Sequence, residues 1–279
     1  MILVGTSGWQ YRDWRERFYP MGLPQRSWLS FYASRFATTE LNSSFYRLPE
    51  VSSFERWKAE TPHGFVIAVK ASRFLTHLKR LEDPEEAVTR LWSRTQALGR
   101  RLGPVLFQLP PSLQADHGRL AGLLACLPAG MRAAFEFRDR SWNSDRTYRM
   151  LDEAGAALVW ADRPATAIRL PITSAWAYIR FHQGSPRTPG YPRRKLARWA
   201  DRIADLQSEQ TWIYFNNDTG GAAVRDATTL VSLLEDRGAP VVPPPVSKDA
   251  GTDGPVSPLE GRGKIRRGDR ESPAFDELG

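Results

Sequence analysis

Several function classes lose support from what this chain lacks. One cysteine, Cys126, stands among 279 residues, so no internal disulfide can form. That usage suits a reducing cytoplasm, which is the expected compartment. Only four histidines are present, and no HxH or HExxH spacing joins them. No apolar run approaches the roughly 20 residues of a membrane helix. The opening MILVGTSGW has no charged n-region, long apolar stretch or small-residue cleavage site, so it does not read as a secretory signal. No GxGxxG turn follows the first apolar run, which argues against a dinucleotide-binding sheet. No GxSxG occurs either, which weakens a triad of Ser7, His182 and Asp162.

The chain does hold ten tryptophans and thirteen phenylalanines, enough for a substantial core. Its formal charge is +8. The residues from Pro243 onward are slightly acidic, so the surplus belongs to the part before them. Such a surplus favours an anionic ligand, nucleic acid among them, without sequence specificity. An Arg-rich codon usage would give the same number. Membrane binding is not expected, and oligomeric state is not readable.

Eight runs rich in Val, Ile, Phe, Tyr and Trp read as strands: Ile2–Ser7, Thr39–Phe45, Phe65–Ala71, Val105–Leu109, Ala133–Arg138, Ala157–Asp162, Ala175–His182 and Thr211–Asn217. Helical spacing fills the gaps at Ser27–Phe36, Val51–Glu60, Pro84–Leu102, Leu113–Cys126, Asp145–Ala154, Arg194–Gln207 and Ala222–Asp236. The third of these opens with Asp83 as its expected cap. Arg163–Ser174 is too short for a helix of the repeating unit. The alternation predicts an irregular (β/α)8 TIM-type barrel over residues 1–242 as one domain. Residues 243–279 are rich in Pro, Gly and charge and predict a disordered tail. Its RGKIRRGDR patch is expected to be solvated.

Active sites of such barrels form at the strand C-termini, from lumen-facing side chains. Taken strand by strand, that rule selects Ser7, Glu40, Asn42, Lys70, Gln108, Glu136, Arg138, Asp162, Arg180, His182 and Asn216, with Asn217 on the opposite face of the eighth strand. Glu40, Glu136 and Asp162 would offset Lys70, Arg138 and Arg180, giving a pocket of zero net charge. An ion network made only for stability is the alternative, but such networks often stabilise no more than apolar packing. The following loops add Trp9, Tyr11, Trp14, Phe45, Tyr46, Arg47, Arg73, Thr76, His77, Ser141 and Trp142. Aromatics among basic residues suit nucleobases or sugars, although several of the Trp would serve as well to cap the barrel. Glu40, Glu136 and His182 are the candidate catalytic residues, with Glu40 and Glu136 as an acid–base pair. Lys70, Arg138 and Arg180 are the candidate phosphate contacts. Ser7, Trp9, Asn42, Tyr46, His77, Gln108, Trp142, Asp162, Asn216 and Asn217 complete the ligand set. No cofactor is predicted. A divalent metal would have only His77 and His182 with carboxylates, because His63 and His117 are expected at the other end.

The blocks GTSGWQYRDW, ELNSSFYRLP, WKAETPHGFVIAVKASRFLTH, GPVLFQLPP, AFEFRDRSW, YIRFH and IYFNND, in this order, resemble the YecE-like family, also called domain of unknown function 72. The resemblance spans about Met1 to Gly238. It implies an irregular TIM-type barrel similar to those of apurinic endonucleases and xylose isomerases, and hence a proposed role in nucleic-acid binding. The family has no established activity or catalytic residues to carry over. Its blocks fall on Ser7, Gly8, Trp9, Glu40, Asn42, Phe45, Tyr46, Lys70, Thr76, His77, Gln108, Pro110, Glu136, Arg138, Trp142, Arg180, His182, Asn216 and Asn217. The family pattern continues the seventh-strand His with Gly, whereas Gln183 precedes Gly184 here. The imidazoles of a trinuclear zinc nuclease are mostly missing, so that mechanism does not transfer. The expected function is binding or processing of a phosphate-containing or nucleic-acid ligand. A non-catalytic nucleic-acid module and a sugar-processing barrel are the alternatives.

Overall fold

Strands that bury both faces carry apolar residues at every position, and parallel pairing needs a long crossover between them. Here the crossovers are long and the outward positions largely apolar, while the lumen positions turn polar toward the strand ends. The structure, a computed structural model, describes residues 1–162, 170–183 and 188–246. Eight parallel strands close into a barrel in chain order. They are β1 Ile2–Ser7, β2 Thr38–Leu41, β3 Val66–Lys70, β4 Leu102–Gln108, β5 Ala133–Glu136, β6 Ala157–Asp162, β7 Trp176–Phe181 and β8 Gln210–Phe215. The surrounding helices are α1 Trp28–Ala33, α2 Ser43–Tyr46, α3 Val51–Glu60, α4 Glu85–Thr95, α5 His117–Ala125, α6 Asp145–Glu153, α7 Arg193–Ala204 and α8 Ala222–Glu235. The expected TIM-type barrel is the observed fold. No helix among the described residues is long and apolar enough to cross a membrane.

Side-chain alternation separates two cores. Leu3, Ala68, Leu106, Ala134, Val159, Tyr178, Trp212 and Tyr214 fill the lumen. Val4, Leu41, Val69, Phe107, Phe135, Ile179 and Phe215 point outward and join the helices in the larger core. Register then sets the upper lumen. Ser7 lies beside Glu40, Gln108 beside Glu136, and Arg180 beside Tyr214. A slip of one residue would exchange the two faces and bury the charges among helices.

Several boundaries differ from the expected ones for local reasons. The second strand stops at Leu41 rather than Phe45. Asn42 turns to near-helical angles, and Ser43–Tyr46 forms the single turn α2. Ser44 Oγ bonds to the carbonyls of Leu41 (3.0 Å) and Lys70 (2.7 Å), tying this turn to the top of β3. Asp83 does not cap α4. It lies outside the helix at positive φ, and Pro84 occupies the cap position without a side-chain bond. The helix expected to reach Leu102 ends at Thr95. A 3-10 segment follows, broken at Gly99 with φ 56°, and β4 begins at Leu102. Asp116, not Leu113, opens α5, its Oδ1 accepting from the Arg119 amide at 3.0 Å. Most of Arg163–Ser174, Gly184 and nearly all of the expected tail with its RGKIRRGDR patch lie outside the described residues.

One glycine is required by close approach. A Cβ at Gly5 would sit 2.0 Å from the Thr38 carbonyl oxygen of the neighbouring strand. That backbone cannot move without opening the β1–β2 pairing, so Gly5→Ala should destabilise the barrel by at least the ~1–3 kcal/mol typical of overpacking. Urea unfolding of the variant measures this, and an unchanged midpoint would contradict the packing described.

Candidate functional site

The upper lumen is organised around one guanidinium. Arg180 on β7 is fully buried, as are Glu40 on β2 and Glu136 on β5. Its Nε and Nη2 donate to Glu40 at 3.0 and 2.6 Å, and its Nη1 donates to Glu136 at 2.6 Å. Ser7 Oγ and Tyr178 Oη also donate to Glu40, each at 2.6 Å. Burial works to raise the Glu40 pKa, but the Arg180 charge and the donated hydrogen bonds outweigh it and hold the carboxylate below its ordinary range. Both Glu40 oxygens are thus occupied.

Glu136 is placed differently. Gln108 Nε2 donates to its Oε2 at 2.9 Å. Its Oε1 faces His182 Nε2 at 3.0 Å. Asn216 Nδ2 lies 3.4 Å from His182 Nδ1. His182 and Asn216 line a cavity of about 360 Å³ with Gln183, Thr188, Pro189 and Asp218. This imidazole–carboxylate pair is open to a ligand on one side and anchored to Arg180 on the other.

A cationic cluster sits beyond it, over β3 and β5. Lys70 is 7% exposed, and its Nζ lies 4.1 Å from the centre of the Phe45 ring. Burial, then the charge of Arg180, lowers the Lys70 pKa to about 8. His77 packs edge-on against the same Phe45 ring, centroids 4.9 Å apart, and bonds to Thr76 through Nδ1 at 2.9 Å. Burial first, then the charges of Lys70, Arg138 and Arg73, lower the His77 pKa to about 4. His77 is therefore neutral at physiological pH, with the charges of Lys70, Arg138 and Arg73 acting on it. Arg73 and Arg138 are exposed.

A second cavity, of about 510 Å³, opens over β1 and β2. Trp9, Tyr11 and Tyr46 are its aromatic walls, and Asn42, Asn216 and Asp218 its polar groups. Trp9 itself is buried, whereas Tyr46 is 77% exposed. Asn42 Oδ1 is buried with no hydrogen-bond partner. Burial and the neighbouring Asp13 push the Asp218 carboxyl above its usual range. Asp218 was not among the sequence candidates. Its only sequence signal is its position two residues past the Asn216 that ends the eighth lumen row.

Three expected site residues are displaced. Asp162 does not face the lumen. It follows Leu158 and Trp160 outward and meets Lys195 Nζ of α7 at 2.7 Å. Trp142 is not a rim platform. It is fully buried, stacked on Phe137 at 4.6 Å, with Nε1 donating to the Leu113 carbonyl at 2.8 Å. Asn217 turns toward α8, its amide donating to Asp226 and to the Pro189 carbonyl, both at 2.7 Å, although it still borders the smaller cavity. His117, expected at the far end, opens α5 just past β4 and packs beside Trp142 outside the barrel wall. Without Asp162 the pocket loses one of its three expected carboxylates, while Asp218, which was not expected, adds one at the mouth.

A model of the family described as "Protein of unknown function DUF72" matches residues 3–250. The chain belongs to the DUF72 family. The resemblance read from its seven sequence blocks is thus correct. This DUF72 chain is 28% identical to the UPF0759 protein YunF of Bacillus subtilis, over 84% of its own length and 95% of that protein. It is also similar to a DUF72 family protein of Thermotoga maritima, with 29% identity, a TM-score of 0.76, and coverage of 84% and 99% of the two chains. A DUF72 protein of Enterococcus faecalis, 19% identical with a TM-score of 0.71 and coverage of 84% and 96%, shares the fold. None of these names carries an activity.

In this DUF72 barrel the Arg180 pairs should govern stability. Arg180→Met would leave two buried carboxylates without a cation and should destabilise by about 3–5 kcal/mol in urea unfolding. Acid should act through Glu40. Its folded pKa lies below the ordinary value of 4.5, so its contribution is present above pH 4.5 and is lost as pH falls through the folded value. Measured unfolding free energy should decline in that window, and Glu40→Gln should remove that component of the decline.

Proposed function

We propose that this DUF72 barrel binds a phosphate-bearing ligand at its mouth, with Arg138, Arg73 and Lys70 supplying the positive field. One observation carries this reading. The two lumen carboxylates are held by Arg180, while the charges of Lys70, Arg138 and Arg73 all act on neutral His77, and among the described residues none of the three cations is in ion-pair contact with a carboxylate. Like charges brought together without a partner disfavour each other, and an anion between them would relieve that repulsion. Arg180 does not contact the ligand in this reading, because its nitrogens are already used by Glu40, Ser7 and Glu136.

The remainder of the ligand would occupy the aromatic cavity beside Asn42, Asn216 and Asp218. A ring of a base or sugar stacks on such walls, and Asn42 Oδ1 would accept one of its donors. Its size suits a nucleotide or sugar phosphate better than a duplex. The His182–Glu136 pair borders the same mouth and is the proton-transfer candidate if the ligand is changed as well as held.

Titration calorimetry with inorganic phosphate and anisotropy with a fluorescein-labelled oligonucleotide, each at low and at physiological salt, test this. Phosphate should bind, and Arg138→Ala should weaken it roughly tenfold, the loss of one charge-assisted hydrogen bond. Oligonucleotide binding that is tight and insensitive to free phosphate would favour the nucleic-acid module instead. No binding of either at low salt would remove the anion site altogether.

A further inference from the structure

The cationic cluster contains one group that phosphate binding does not need in that form. An exposed ammonium on a flexible stem serves an anion well, but Lys70 is buried at 7% exposure and held at the end of a barrel strand. Burial and the neighbouring cations disfavour its charge more than the two carboxylates favour it. Arg180 and Arg138 act on it from the cationic side, while Glu40 and Glu136, both held by Arg180, act on it without contact. The Phe45 ring covers it at 4.1 Å. Desolvation together with adjacent cations is the arrangement that keeps a lysine amine available as a nucleophile.

We propose that Lys70 is a covalent catalytic residue that forms a Schiff base with the carbonyl carbon of a phosphorylated aldehyde or ketone. This rests on the anion site proposed above, and it narrows the ligand to a small carbonyl compound carrying phosphate. The neutral amine adds to the carbonyl carbon, and the C=O π electrons go to oxygen, giving a carbinolamine. Loss of that oxygen as water leaves an iminium between the Lys70 nitrogen and the substrate carbon. Overall, one ammonium and one carbonyl give one iminium and one water, with no oxidant or reductant involved. The positive charge stays in place, so Arg138 and Arg73 keep their role toward the phosphate. Neutral His77, packed on the same Phe45 ring, is placed to carry the proton from nitrogen to the departing oxygen. The amine's lowered pKa, about 8, leaves an appreciable neutral fraction near physiological pH.

Reductive trapping tests it. The full chain is incubated with dihydroxyacetone phosphate or glyceraldehyde 3-phosphate and sodium cyanoborohydride, and the adduct is located by peptide mass mapping. One adduct per chain is expected, on Lys70, at least tenfold faster than with unphosphorylated dihydroxyacetone and slowed by inorganic phosphate. Its rate should rise with pH through about 8 as the neutral amine forms. Lys70→Arg keeps a positive charge but cannot form an imine, so it should still bind phosphate measurably and take no adduct. Label spread over Lys58, Lys79 and Lys195, or no adduct despite normal phosphate binding, would overturn the Lys70 assignment and leave the anion site standing. Absence of phosphate binding would overturn both.

Discussion

A buried guanidinium shared by two buried carboxylates sets the terms for everything above it in this barrel. Arg180 could not be buried without partners, and neither could Glu40 or Glu136, since an isolated charge in such a site costs several kcal/mol, roughly. The three come from β7, β2 and β5, strands far apart around the ring. Their contact therefore requires the barrel to be closed and in register, which makes the cluster a test of correct assembly as much as a store of stability. Ser7, at the end of neighbouring β1, and Tyr178, mid-strand on β7 across the lumen, complete the coordination of Glu40.

The cluster also divides the charge of the pocket vertically. Below it the lumen is apolar, with Leu3, Leu106, Val159 and Trp212. At its level the carboxylates are bound and desolvated. Above it stand Lys70, Arg138 and Arg73, none in ion-pair contact with a carboxylate among the described residues. Anchoring both carboxylates on Arg180 leaves them acting on Lys70 only at a distance. Asp162 turns to Lys195 on the outside, while Asp218 borders both cavities at the mouth. The same division explains how Glu136 can serve two ends, one oxygen fixed by Arg180 and Gln108, the other facing His182.

Much of this was legible in the chain. Eight β-rich runs spaced by helical patterns leave few folds available, and period-two alternation places Glu40, Glu136, Arg180 and Lys70 on one face because that spacing is a property of the strand itself. Alternation fails where the strand ends. Asn42 was read as a lumen residue of a longer strand, whereas Ser44 bonds to Leu41 and Lys70 and converts ELNSSFY into a strand followed by a helical turn. Asp162 lies at an odd step from its lumen row, and its polarity invited an inward placement, whereas Asn217 was expected on the outer face beside Phe215. Lys195 and Asp226, contributed by helices, drew them outward, and no local pattern records a helix partner chosen in three dimensions. Trp142 likewise is an aromatic near a basic segment in sequence, but its indole nitrogen finds the Leu113 carbonyl and its ring finds Phe137.

The sequence by itself determined the barrel, the strand order and the set of polar groups near the strand ends, because periodicity and crossover length act locally and along the chain. Which of those groups pair, which stay free and which way the pocket is charged were decided by the closed tertiary structure alone. Arg180 had three carboxylates available by sequence. Only closure brought Glu40 and Glu136 within hydrogen-bond reach from opposite walls and sent Asp162 to a helix. Coulomb energy depends on separations of a few ångströms across the lumen, and sequence spacing does not encode them.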